Sequence, residues 1–159
     1  RLHRALVSRR VLSHSLNTYE EVAHYLKLGY AMHVSDVEAA FPMLPFAPWL
    51  WPFLLFRHYR EGCTVQRLFA HVCGDFGTRG MPGVFNVFFV HVVVNMGRFV
   101  GVLTLPMPIY VDDAGLIGAV CRAVAREMRG FQDWAGEVCG VDFKRIKDHS
   151  AAQVQYMLG

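Results

Sequence analysis

"PIYVDDAGLIG", residues 108–118, sets two adjacent aspartates, Asp112 and Asp113, between apolar runs that read as the arms of a β-hairpin. Two carboxylates at a hairpin tip repel one another, and two arrangements relieve that: a solvated turn, or a multivalent cation that both help to hold. The stretch alone leaves both open. A third carboxylate comes from "YAMHVSDV", residues 30–37, whose two-residue period puts Met32, Val34 and Asp36 on one face of a strand that Asp36 ends. If that strand neighbours the hairpin, Asp36, Asp112 and Asp113 converge, and like charge destabilises the cluster unless it binds divalent metal. Two Mg²⁺ ions about 3.5–4 Å apart, held between carboxylates, serve in-line displacement at phosphorus.

The chain has 159 residues, 53% hydrophobic and 13% aromatic. That supports one domain, residues 1–159, with a packed core, and excludes a disordered chain. The net charge is +3, with Arg1, Arg4, Arg9 and Arg10 at the start and Lys144, Arg145 and Lys147 near the end, a balance that suits an anionic partner. Cys63, Cys73, Cys121 and Cys139 form no CxxC pair. They read as reduced core thiols, which points to an intracellular setting, cytoplasmic or nuclear. Neither apolar run reads as a membrane span. "APWLWPFLLF" is only ten residues long, and in "VFNVFFVHVVVNMGRFVGVLTL" His91, Asn95 and Arg98 form one polar stripe on a core helix. The abrupt ends at Arg1 and Gly159 read as those of an excised piece.

Other elements follow from period and punctuation. "NTYEEVAHYLKLG" has capping-box spacing at Thr18 and Glu21 and predicts a short helix. "FLLFRHY" and "TVQRLFAHVC" predict a hairpin, and "GDFGTRGMPG" a glycine-rich loop with Pro82 in the first turn of the next helix. Residues 119–139 form the clearest helix, with Arg122, Arg126, Arg129, Asp133 and Glu137 on one side and Val120, Val124, Met128, Phe131, Ala135 and Val138 on the other. Short strands are expected at "VDF" and "VQYML", around a basic turn. The order predicts an α+β fold, a mainly antiparallel sheet with helices packed on one face.

Tyr110-Val111-Asp112-Asp113 resembles the Tyr-x-Asp-Asp hairpin of reverse transcriptases, and four further stretches fall in that family's order. "DVEAAF" from Asp36 is similar to the first palm motif and "FGTRGMP" to the second, a Gly-x-x-x-x-Pro loop opening a helix. Gly140 with Lys147 resembles the fourth, and "VQYMLG" the strand leading to the primer grip. The resemblance covers roughly residues 17 to 159 and is nearest to long-terminal-repeat and tyrosine-recombinase-bearing retroelements. Met81, in place of a serine or alanine, and Asp75, in place of an apolar residue or proline, depart from the pattern.

The resemblance implies an RNA-directed DNA polymerase palm with most of the fingers and the thumb absent. It further implies two Mg²⁺ ions with Mn²⁺ as substitute, an RNA or DNA template with primer, dNTPs as substrates, and no membrane partner. Asp36 and Asp112 would be metal ligands, joined by the Val37 carbonyl and, pointing differently, by Asp113. Phe41 would exclude a ribose 2′-hydroxyl, and Gly77, Arg79 and Pro82 would shape the loop under the template and incoming base. Tyr110 would contact the primer end, and Lys147 would protonate the leaving pyrophosphate. Against these stand plainer readings: strand-end aspartates, a core phenylalanine, a buried tyrosine, a tight turn and a solvated lysine. The tripeptide "DFG" at 75–77 does not indicate a protein kinase, because no GxGxxG loop, VAIK-like strand or HRD loop precedes it. A two-metal nuclease shares the carboxylates but needs no aromatic gate. An inactive palm remnant or scaffold from a decayed retroelement is the non-enzymatic alternative.

Overall fold

The computed structural model describes residues 19–59, 61–62, 66–78 and 80–152. Its centre is a four-stranded antiparallel sheet in the order β4-β5-β1-β6. Strand β1 (Ala31–Asp36) is buried along its length until Asp36, because a strand lies on each of its edges. On one edge is β5 (Asp113–Gly118), paired from Ala31↔Gly118 to Asp36↔Asp113, and β4 (Ile109–Tyr110) lies outside it. On the other edge is β6 (His149–Ala152), with Val34↔His149 and Met32↔Ala152 as partners and a register shift between them.

Paired residues of an antiparallel ladder share a face, so the register sorts the sheet. Ala31, His33 and Ser35 lie with Leu116 and Ala114 on one side, and Met32, Val34 and Asp36 with Ile117, Gly115 and Asp113 on the other. The first side carries the main core. Two helical segments cover it: α4 (Cys121–Cys139), and a run of α2 (Met81–Asn86), a π-helical stretch (Val87–Val94) and α3 (Asn95–Phe99), which keeps helical dihedrals across both junctions. Phe85, Phe89 and Val93 of that run meet Val124, Met128, Phe131 and Ala135 of α4 over Ala114 and Leu116. Burying each phenylalanine is worth about 1.5–3 kcal/mol. The polar side of α4 is solvated as its periodicity predicts, and Gly140 ends it in a left-handed conformation with φ of 66°.

Several expectations need correction. Helices do not all share one face, since α1 (Tyr19–Tyr25) sets Val22 against Met32, Val34 and Ile117 on the second side. The helical run from Met81 packs Phe85, Phe89 and Val93 into the core as expected, but its exposed side is wider than one polar stripe. His91, Asn95 and Arg98 are exposed, but so are Val84, Val87, Val92, Met96 and Phe99, because the wide turn of the π-helical stretch breaks the 3.6-residue period. Strands β2 (Leu55–Tyr59) and β3 (Gln66–Ala70) form the expected hairpin, paired Phe56↔Phe69, but as a separate two-stranded sheet. "VDF" contributes one bridge, Val37↔Phe143, instead of a strand. The edge strand is the polar His149–Ala152, and "VQYML" lies outside the described residues, as do Thr18 and the arginines at the start. Cys73 and Cys139 are half-buried, Cys139 against the core, and Cys121 is exposed; all three are free, and Cys63 lies outside the described residues. No helix among the described residues is long and apolar enough to cross a membrane.

Candidate functional site

Strand β1 delivers Asp36 opposite Asp113, and β4 delivers Tyr110 opposite Asp113 in turn. Tyr110, Asp113 and Asp36 therefore form a row across three strands, on the face turned away from α4. Val111 and Asp112 make the two-residue turn of the β4–β5 hairpin, and the Val37 N–H donates to the Asp112 carbonyl at 2.9 Å. That bond pins the hairpin tip to the end of β1. Val111 holds a left-handed φ of 57°, and Ala39, in the turn after Asp36, holds 49°. Left-handed backbone at a β-branched residue costs about 1–3 kcal/mol. Among the described residues these two are the left-handed positions not occupied by glycine, and they flank the carboxylates.

The electrostatics record the crowding. Burial pushes the Asp112 carboxyl above its ordinary range, and the Asp36 charge pushes the same way against an opposing backbone hydrogen bond. Burial likewise raises Asp113, with Asp112 and Asp36 adding to it. Lys144 and Lys147 pull both back down. On Asp36 the two oxygens differ. Oδ2 takes the Lys144 ammonium at 3.1 Å and the Lys147 ammonium at 3.5 Å, whereas Oδ1 is buried and accepts no hydrogen bond. A buried carboxylate oxygen without a partner is costly and calls for a cation or a donor. Hard oxygen donors of this kind suit Mg²⁺ or Mn²⁺. Asp36, Asp112 and Asp113 are the residues that would supply such donors, although as they stand no group of three or more His, Cys, Asp or Glu among the described residues is gathered to hold an ion. The Val37 carbonyl stays out of the adjacent ladder, since the Val37–Phe143 bridge is made by the Glu38 N–H on Asp142 and the Lys144 N–H on Asp36, both at 2.8 Å.

The glycine-rich loop lies against the turn that follows β1. Phe41 is 5% exposed, and its ring packs edge-on against Phe76 at 5.0 Å and Phe85 at 6.1 Å between centroids. Phe76 itself is 82% exposed. Both departures from the motif have a structural counterpart. Met81 is buried against Gly74, where an added Cβ would stand 2.4 Å from the methionine methyl carbon. Asp75 accepts the Thr78 N–H at 2.6 Å and faces His71 at 3.4 Å. Burial works upward on this carboxyl, but the Thr78 bonds and His71 bring it below its ordinary value. Pro82 stands in the first turn of α2 as expected. Gly77 is exposed with room for a side chain, whereas Gly80, with φ of 97°, is the position whose backbone calls for glycine. Arg79 lies outside the described residues.

The structure thus sets Asp36, Asp113 and Tyr110 in one row with Asp112 in the adjoining turn, Lys147 on Asp36 and Val37 bonded to Asp112, and sets Phe41, Gly77 and Pro82 in or beside the loop. Two participants carry no assigned site role in the sequence reading. Lys144 is nearer to Asp36 than Lys147 is and half as exposed, at 33% against 63%. Phe76 presents the accessible aromatic face beside Phe41, and its place directly before Gly77 was the available signal. No protein-family model matches the chain, and no curated protein is similar to it.

Proposed function

We propose that this chain is the catalytic palm of a reverse-transcriptase-like, RNA-directed DNA polymerase, adding deoxynucleotides to a primer 3′ end under the direction of a template. The observation that carries the reading is the register Asp36↔Asp113, two carboxylates from sequence-distant elements on one sheet face, with Asp112 in the adjoining turn. A scaffold has no use for that repulsion, nor for left-handed backbone at Val111 and Ala39 beside it. Divalent ions bound there would neutralise charge on the attacking and leaving oxygens.

The chain's own groups do the rest. Asp36 and Asp112 hold the ions, with the Val37 carbonyl and Asp113 completing the set. Tyr110, half-way out of the surface in the same row, positions the primer end. Phe41, in the turn after Asp36, is buried in the core, so its part in excluding a ribose 2′-hydroxyl is carried through the exposed Phe76 ring that packs on it. The loop from Phe76 to Pro82, Gly77 and Arg79 included, supports template and base. Lys147, mostly exposed and reaching Asp36 Oδ2, is free to turn toward a leaving pyrophosphate and donate a proton to it.

Single-turnover primer extension tests this, with the chain in excess over a primed RNA, Mg²⁺ and dNTPs. Addition is expected to be slow, since a palm alone grips neither triphosphate nor duplex well. It should match the template and fall to background in Asp112→Asn. With competing ribonucleotides, Phe41→Val should raise the ribonucleotide share by about 10²-fold if exclusion is worth a few kcal/mol. Shortening of the primer would instead make the chain a nuclease, and addition indifferent to Asp112→Asn would refute the site.

A further inference from the structure

In the sequence Lys144 is one of a basic cluster with Arg145 and Lys147, yet its ammonium is held closest to β1. Its N–H donates to the Asp36 carbonyl at 2.8 Å, and its ammonium returns to the same residue's carboxylate at 3.1 Å. The neighbouring Glu38 N–H to Asp142 bond makes this a short ladder beside the end of β1, so the side chain is aimed and not merely near. Lys147 reaches the same Oδ2 from the end of a 3₁₀ turn, Arg145–Lys147, at 3.5 Å and with far more exposure. Both ammoniums also act through space on Asp112 and Asp113. Three carboxylates and two ammoniums leave the cluster with a formal charge near −1.

We infer that Lys144 is a built-in counter-ion which competes with a divalent cation for Asp36. This rests on the polymerase-palm reading of the same site. An ammonium bonded to Oδ2 occupies a lone pair that a metal would use, and its charge repels any cation at Oδ1. Metal binding therefore requires the lysine to swing out, and part of the binding energy is spent breaking the ion pair. The consequence is a site that binds metal weakly on its own. It binds more firmly once some other anion, such as the phosphate groups of a substrate, accepts the displaced ammonium. Lys147 contributes less, because its longer, more solvated contact competes less.

Mn²⁺ binding to the metal-free protein, followed by the loss of the free-ion electron paramagnetic resonance signal, reads this without any catalysis. Lys144→Met should tighten Mn²⁺ binding by about fivefold or more, and Lys147→Met by less. Lys144→Gln, which stays polar, should follow Lys144→Met, and circular dichroism identifies any variant that has lost the fold. If Asp36→Asn abolishes Mn²⁺ binding while both folded Lys144 variants bind as the wild type does, the competition is wrong and the metal site stands. If wild type and Asp36→Asn bind Mn²⁺ alike, the metal site falls and this inference with it.

Discussion

Asp112 and Asp113 weaken the folded chain at neutral pH. Burial holds both carboxyls above their ordinary range in the fold, with repulsion from Asp36 on each and from Asp112 on Asp113 adding to it. Between the unfolded and the raised folded value, the folded state keeps a proton that the unfolded state has released, so stability falls as pH rises through that window. Below the window both states are protonated and the difference disappears. Asp112→Asn should therefore be more stable than wild type at neutral pH without metal. Its advantage should close as pH is lowered through the ordinary carboxylate range, a trend that urea midpoints across the acid range would show. A constant advantage at every pH would mean that the gain has another source. At this scale the sequence was informative where chemistry is local: adjacency marked Asp112 and Asp113, and a two-residue period marked Asp36. It could not rank Lys144 over Lys147, because the turn at Arg145–Lys147 decides which ammonium returns to β1. Nor could it tell that Phe41 is walled in while Phe76 is open, since both are aromatics beside turns.

Elements are held in place by polar ties that no periodicity announces. Glu127 on α4 accepts the Thr104 N–H at 2.6 Å, the Thr104 hydroxyl at 2.8 Å and the Leu105 N–H at 2.7 Å. It fastens the segment leading into β4 to the helix that backs the sheet. Glu127→Ala should cost about 1–3 kcal/mol, as bonds to a charged acceptor do, read from the urea midpoint. A change within ~0.5 kcal/mol would show the tie to be incidental. A second tie joins β1 to α4. Ser35 donates to Asp148 at 2.5 Å, and Gln132 donates to Ser35 at 2.8 Å and to Asp148 at 3.0 Å. Buried His33 lies beside Asp148 at 3.6 Å, and burial holds its imidazole below the ordinary histidine value. Helix α4 and strands β1, β2 and β3 were legible because their apolar spacing is strong. Strand β6 was not, since His149–Ala152 carries no alternating pattern and pairs only because β1 offers a free edge.

At the scale of the molecule, the fold works as a device for convergence. Strand β1 and the β4–β5 hairpin are more than seventy residues apart in sequence, and the antiparallel register alone brings Asp36 opposite Asp113. The helices on the other face supply the core that makes the register unique, because a slip of one residue would turn Leu116 and Ala114 outward and the aspartates inward. The sequence predicted the mixed α+β class and allowed for Asp36 to neighbour the hairpin, but not that α1 would lie on the carboxylate side or that β2 and β3 would stand apart from the main sheet. Under the proposed function this convergence binds divalent metal. Thermal melting of wild type and Asp112→Asn with increasing Mg²⁺ tests it most directly. At about ten times its dissociation constant, Mg²⁺ should stabilise the wild type by ~1.4 kcal/mol, or about 3–6 °C. Asp112→Asn should start at a higher Tm without metal and barely respond to it. Parallel Mg²⁺ responses in the two proteins, or a lower starting Tm for a folded Asp112→Asn, would show that Asp112 holds no metal.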